Sequence, residues 1–155
     1  MNAPLLKKVA LFQYMTAAEL LKLSSALREA RYSANTHIFH EGNQGSGMFI
    51  IIDGKVRISK TVPGIGEEAM AILEPGSYFG EMSLIEDRPR SADAIAHSDC
   101  QLYELSREQF DYLTFIDKEI TMKLLWSFVR TLSDRLRETN AKMQSLIVLS
   151  SYGPK

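Results

Sequence analysis

One cysteine, one tryptophan and five prolines occur in 155 residues, and charge of neither sign predominates. The lone Cys100 excludes an internal disulfide, so a reducing cytoplasm is the expected setting. Cys100 itself reads as a small apolar side chain at the start of a strand. With 18 Lys and Arg against 19 Asp and Glu, and a pI near 6.3, the chain lacks the basic face of a stand-alone nucleic-acid binder. No segment approaches the ~20 apolar residues of a membrane span, and the N-terminus lacks the sustained apolar run of a signal peptide. Neither direct nucleic-acid binding nor a membrane location is therefore expected. No G-x-x-x-x-G-K-S/T loop is present, which removes the usual grip on a nucleoside triphosphate. What is there is a 45% apolar chain of single-domain size, enough for a proper core.

Punctuation along the chain divides it into helix, strands and helix. Thr16 and Glu19 form a capping box, and Leu20, Leu23 and Leu27 share a face, so a helix is expected over 17–30. Strand-like runs follow at 36–40, 47–53, 55–62 and 67–73. Asp53-Gly54 between two of them predicts a hairpin. Pro75-Gly76 interrupts the pattern, and two more strands fit 92–96 and 101–105. Ser106 then caps a short helix through Phe115. Several short strands separated by turns are compatible with a sandwich or barrel.

Most of the chemistry is concentrated in Phe79-Gly80-Glu81-Met82-Ser83-Leu84 and Pro89-Arg90-Ser91-Ala92. Gly80 allows close backbone approach to a ligand. Residues 81–85 read as one helical turn whose free N–H groups form an anion site. Arg90 adds a charge-assisted contact to phosphate oxygens, and Ser91 a hydroxyl donor. Glu81 would repel phosphate, so it reads as an acceptor for a sugar hydroxyl. One arginine without lysine suits a phosphodiester of single charge, and the ligand class narrows to a monoanionic ribonucleotide.

This stretch resembles the phosphate-binding cassette of cyclic-nucleotide-binding domains, and His37 to Gly42, Met48 to Ile52 and Asp53-Gly54 resemble the family's first strands. The resemblance spans about residues 5 to 150. It implies an eight-stranded antiparallel jelly roll, mainly β, with an N-terminal helix, a cassette helix, a hinge helix and a long C-terminal helix. It also implies that cAMP or cGMP is the regulatory ligand, cAMP being favoured, held by Phe79, Gly80, Glu81, Met82, Ser83, Arg90, Ser91 and Ala92. Phe110 and Leu113 are the expected contacts of the hinge helix with the cassette.

From Lys118 to Leu149 there is neither proline nor glycine. Met122, Leu125, Val129, Leu132, Leu136, Thr139, Met143 and Leu146 recur at spacings of three and four, a heptad seam with Val129 and Leu136 at a positions. Ile120, Leu124, Phe128 and Thr131 make a second face suited to packing on the barrel. Two apolar faces require two partners, so a homodimer through Leu125, Val129, Leu132, Leu136, Met143 and Leu146 is expected, as in the resembling catabolite activator protein group. That group continues into a DNA-reading helix-turn-helix, for which this sequence leaves no room. The expectation is a free-standing sensor, or the sensor half of a longer regulator, acting on an unidentified downstream protein. The division reads as 1–116 for the β-roll with its flanking helices, 117–150 for the long helix and 151–155 for a tail. Where the activator group places adenine-contacting hydroxyls, this chain has Arg135 and Leu136; Arg135 either stacks on a purine or is a solvated arginine.

A jelly roll with His37 and His40 also raises the possibility of a metal enzyme. Residues three apart in a regular strand point to opposite faces and cannot share one ion without a bulge. No metal site and no catalytic residues are therefore assigned, and the chain reads as a non-enzyme. A ligand-free interaction and dimerisation module is the alternative.

Overall fold

Among the described residues, eight antiparallel strands form two four-stranded sheets. The structure, a computed structural model, describes residues 6–151. A 3-10 turn at Ala10–Phe12 leads to helix α1 (Ala17–Ser24), followed by strands β1 (Arg28–Tyr32), β2 (His37–Phe39), β3 (Gly47–Asp53), β4 (Val56–Val62), β5 (Gly66–Leu73) and β6 (Tyr78–Phe79). Helix α2 (Met82–Ile85), strands β7 (Asp93–Ala96) and β8 (Cys100–Ser106), and helices α3 (Arg107–Ile116) and α4 (Lys118–Ser151) complete the described residues. One sheet runs β1-β8-β3-β6 and the other β2-β7-β4-β5. The result is the expected mainly-β jelly roll with helices at both ends.

β3 explains the continuous apolar run Met48 to Ile51. Its alternate residues face two different cores. Phe49 and Ile51 point between the sheets, with Val56, Phe79, Ala94, Ala96 and Leu102. Met48 and Ile50 point outward onto a second core made by the helices, with Leu20, Leu23, Phe110, Leu113, Ile120, Leu124 and Phe128. A sheet covered on both faces has no solvent side on which to place polar residues.

The capping box forms as expected, with Thr16 Oγ1 accepting from the Glu19 N–H and Glu19 Oε2 from the Thr16 N–H. The helix nevertheless ends at Ser24, not at residue 30. Leu20, Leu23 and Leu27 are all buried as the spacing requires, but residues 28–32 pair with Cys100–Glu104 as β1. Cross-strand pairing outweighs local helical periodicity there. The two-residue β6, which pairs with Phe49 and Ile50, is too short to leave a periodic signature.

Asp53-Gly54 does turn the chain, with Gly54 at φ +81°, but it does not make a hairpin. β3 pairs with β8 and β6 whereas β4 pairs with β5 and β7, so this turn carries the chain from one sheet to the other. A Cβ on Gly54 would stand 2.1 Å from the Asp99 carbonyl oxygen. The close approach of that neighbouring backbone, rather than a two-residue hairpin, requires glycine. The β4–β5 hairpin closes instead at Pro63-Gly64-Ile65, where the Ile65 N–H bonds the Val62 carbonyl at 3.1 Å.

Ser106 caps α3 through the Gln109 N–H, and α4 follows after Asp117. Its Ile120, Leu124 and Phe128 are fully buried against the roll. At 34 residues α4 is about 51 Å long, and residues 136–150 are exposed in the single chain. Lys123 binds Glu19 at 2.6 Å and Lys22 binds Asp117 at 2.9 Å, tying α1 to the α3–α4 junction. Of the segment read as a tail, residues 152–155 lie outside the described residues. Phe128 sits between Tyr78 and Phe110, with ring centroids at 5.7 and 6.3 Å. Phe128→Ala is expected to lower unfolding free energy by about 3–5 kcal/mol in urea titration. A loss below about 1 kcal/mol would mean that α4 is not part of the cooperative core.

Candidate functional site

Among the described residues, Arg90 is the buried cation, at 8% exposure. It follows the loop after α2 and is held by its own backbone: its N–H bonds the Asn43 carbonyl at 2.8 Å, and its carbonyl accepts from the Gly42 N–H at 2.9 Å. The guanidinium turns inward. Nη1 donates to the Gly80 carbonyl at 3.0 Å and to Ser83 Oγ at 2.9 Å, and Nη2 donates to the Gly47 carbonyl at 2.7 Å. Ser83 Oγ lies 2.8 Å from the Gly80 carbonyl and 3.0 Å from that of Gly47, so its single hydrogen is donated within the same cluster. The Phe39 ring lies beneath the guanidinium carbon at 4.0 Å, a cation–π contact. Nε is buried without a hydrogen-bond partner. Burial pushes the Arg90 pKa down from its usual value, with Glu104 and Glu81 acting in the opposite direction; an arginine retains its charge regardless.

Gly80 has φ +77°, and a Cβ there would lie 2.6 Å from Arg90 Nη1. Its glycine thus makes room for the arginine, in addition to the expected closeness of the backbone to a ligand. Gly45 serves similarly, since a Cβ would meet the Ser83 Cβ at 2.3 Å and Arg90 Cζ at 3.2 Å. The α2 turn is shorter than the expected 81–85 by one residue at its start. It also uses two of its own N–H groups, from Ser83 to the Gly80 carbonyl and from Leu84 to that of Glu81.

Glu81 is 1% exposed. Its Oε1 accepts from Arg135 Nη1 at 2.6 Å, while Arg135 Nη2 donates to the Tyr78 carbonyl at 2.9 Å. The Arg135 guanidinium carbon also lies 5.7 Å from the centre of the Tyr78 ring. The Arg135 side chain is 40% exposed and borders the cavity, with its fork engaged by a carboxylate and a carbonyl. Its pairing with Glu81, 54 positions earlier, leaves no trace in local sequence.

These groups border a cavity of about 630 Å³, within the ~300–1,000 Å³ span of small-molecule sites. Phe39 and Phe79 line it, together with Gly80 to Ser83 and Arg90 to Ala92. Ile58, Met70, Ala71 and Leu73 from β4 and β5 add apolar lining. α4 contributes Arg135, Glu138, Thr139, Lys142, Met143 and Leu146. The expected set from Phe79 to Ala92 is thus brought together with Arg135 around one cavity. Ser91 is exposed and Ala92 half-buried at its rim. Sequence reasoning missed Phe39, Gly47, Ile58 and the β5 residues; only the glycine-rich turn before Met48 hinted at any of them.

The long helix borders both the helical core and the cavity. Met143 and Leu146, placed on the seam, line the cavity, as does Thr139. Leu125 packs partly into the helical core, whereas Val129 and Leu136 are exposed at 57% and 61%. Phe110 and Leu113 are buried in one core with Leu84 of α2. No helix among the described residues is long and apolar enough to cross a membrane.

The parity argument that separated His37 from His40 does not hold. A register shift between His37 and Phe39 in the β2–β7 pairing inserts a bulge, and the two rings stack with centroids 4.1 Å apart.

Residues 29–117 match the family described as the cyclic nucleotide-binding domain. The cyclic AMP receptor protein of Thermus thermophilus is 33% identical over 91% of this chain and 63% of its own length. Mouse cGMP-dependent protein kinase 2 is 32% identical over 90% of this chain but 19% of the kinase. The chain thus spans less than two thirds of these relatives. Among solved structures, a cyclic nucleotide-binding domain from Methylobacillus flagellatus superposes with a TM-score of 0.82 at 26% identity, over 92% of this chain and 80% of that one. More than half of the chain falls within the matched segment, and its buried arginine, glycine turn and roll all lie there or against it: this chain belongs to the cyclic nucleotide-binding domain family.

Proposed function

We propose that the chain is a sensor domain that binds a cyclic purine ribonucleotide in the 630 Å³ cavity, with cAMP as the first candidate and cGMP as the second. The relatives support the class: one is named as a receptor for cyclic AMP and another as a kinase dependent on cGMP. The observation that carries the reading is Arg90, a buried cation with an unpartnered Nε beside the cavity. Buried donors are normally satisfied, and a phosphodiester oxygen supplies both the acceptor and the counter-charge.

In this reading Arg90 and the main-chain amides opening α2 hold the cyclic phosphate. Ser91 and Ala92 close the rim, and Phe79, Met82 and Ser83 shape the turn. Glu81 accepts from the ribose hydroxyl. Arg135 is a positioning residue that orients Glu81 and ties α4 to the cassette. Glu81 is already paired with Arg135, so sugar binding and the docking of α4 act on one carboxylate, which couples ligand to helix. A shift of α2 passes through Leu84 to Phe110 and Leu113, which we assign as the hinge. The ligand biases these arrangements only by binding one better than the other.

The roll to residue 116 is the sensing unit and 117–150 the lid and dimerisation helix. Val129 and Leu136, with Leu125, Leu132, Met143 and Leu146, form the seam between two copies. Nothing in this mechanism transforms the ligand, so the domain is regulatory rather than enzymatic, with a protein partner as its output. The pairing of Glu81 with Arg135 also fits the alternative, a ligand-free assembly module.

Mass spectrometry of ligand released from protein purified without added nucleotide, followed by calorimetry with cAMP and cGMP, tests the reading; no heat with either leaves the module. Arg90→Ala is expected to weaken nucleotide binding by about 2–5 kcal/mol, and binding within threefold of the parent would remove the phosphate role. Glu81→Gln is expected to reduce the preference for a ribo- over a 2′-deoxyribonucleotide, read by competition; an unchanged preference reassigns Glu81 to a purely structural bond. The Val129→Asp, Leu136→Asp double variant is expected to sediment as a monomer where the parent sediments as a dimer. Equal sedimentation of the two disposes of the seam.

A further inference from the structure

Outside the nucleotide cavity, the edge of the second sheet gathers two imidazoles and a carboxylate. Donor atoms of His37, His40 and Asp93 all lie within 4.8 Å of one another. β2 is the edge strand of its sheet, and its bulge against β7 brings His37 and His40 to one side. The rings stack at 4.1 Å with 21° between their planes, and His40 Nδ1 is 3.6 Å from Asp93 Oδ1. Both histidines are exposed and Asp93 is half-buried, so an ion has open access from solvent.

We propose that His37, His40 and Asp93 form a binding site for a divalent transition metal, zinc foremost. Two imidazoles and one carboxylate are borderline donors of the kind that zinc accepts, and water completes a four-coordinate shell. Zinc bonds of about 2.1 Å place tetrahedral donors about 3.4 Å apart, so the three donors close by small side-chain rotations. Asp93 is already oriented, because its Oδ1 accepts the Glu41 N–H at 2.8 Å. Such outer contacts hold a carboxylate ligand in place. Magnesium and calcium, which require several oxygen donors, do not suit this set.

The site adjoins the segment that holds Arg90, since Gly42 and Asn43 exchange backbone bonds with that residue. An ion joining β2, His40 and Asp93 therefore pins the start of this segment to β7. The proposal is independent of nucleotide binding, as none of the three residues lines the cavity.

Untagged full-length chain titrated calorimetrically with zinc chloride in a non-chelating buffer tests it. One ion per chain and a raised melting midpoint are expected, with no heat from magnesium or calcium. His37→Ala, His40→Ala and Asp93→Asn should each weaken zinc binding at least tenfold. Asp93→Asn retains the acceptor for the Glu41 N–H, and all three variants should melt with the parent in chelator. His97→Ala, at the remaining histidine, should bind zinc as the parent does. Absence of zinc heat, or zinc binding that survives loss of both His37 and His40, or equal weakening by His97→Ala, overturns the site.

Discussion

A guanidinium fixed beneath the surface of a β-roll organises the rest of this molecule. Arg90 draws the carbonyls of Gly47 and Gly80 and the hydroxyl of Ser83 to one point, joining the start of β3 to the turn before α2. Desolvating that charge is costly, and the roll offsets the cost with three acceptors and the face of Phe39. The glycines at 45 and 80 are consequences of the same demand, since a methyl group at either would collide with Arg90 or with Ser83 beside it.

The two-sided sheet turns this local cluster into part of a larger device. Phe79 and Tyr78 are consecutive in β6, yet Phe79 packs between the sheets and Tyr78 among the helices. Tyr78 touches Phe128 of α4, while its carbonyl accepts from Arg135. The cassette is thus in direct contact with the long helix at two levels, one apolar and one ionic. Phe110 and Leu113 add a third contact from α3, through Leu84.

Helix α4 serves three environments along its length. Its first turns are core, with Ile120, Leu124 and Phe128 fully buried. Its middle reaches the cavity through Arg135 and Thr139. Beyond residue 135 it stands clear of the roll's core, with Leu136, Leu149 and their neighbours exposed in the single chain. Heptad spacing continues through these stretches, and Met143 and Leu146, which carry it, also border the cavity. Periodicity reports that a side of a helix is apolar, not which surface it meets.

Patterns of local origin are legible in the amino-acid sequence itself. The Thr16–Glu19 capping box, the Ser106 cap, the strand-like run of β3 and the Phe79 to Ala92 cassette are all legible at short range, because each is a pattern among neighbours in the chain. Tertiary structure alone decided what pairs with what. Residues 28–30 lie in a strand instead of the expected helix because β8 was available to them, and Asp53-Gly54 became a crossing between sheets because β4 found β5 and β7. His37 and His40 came to one side because a bulge shifted strand parity. Glu81 met Arg135 across 54 residues. Hydrogen bonding between strands and ion pairing across the fold depend on distance in space, which a one-dimensional spacing does not carry.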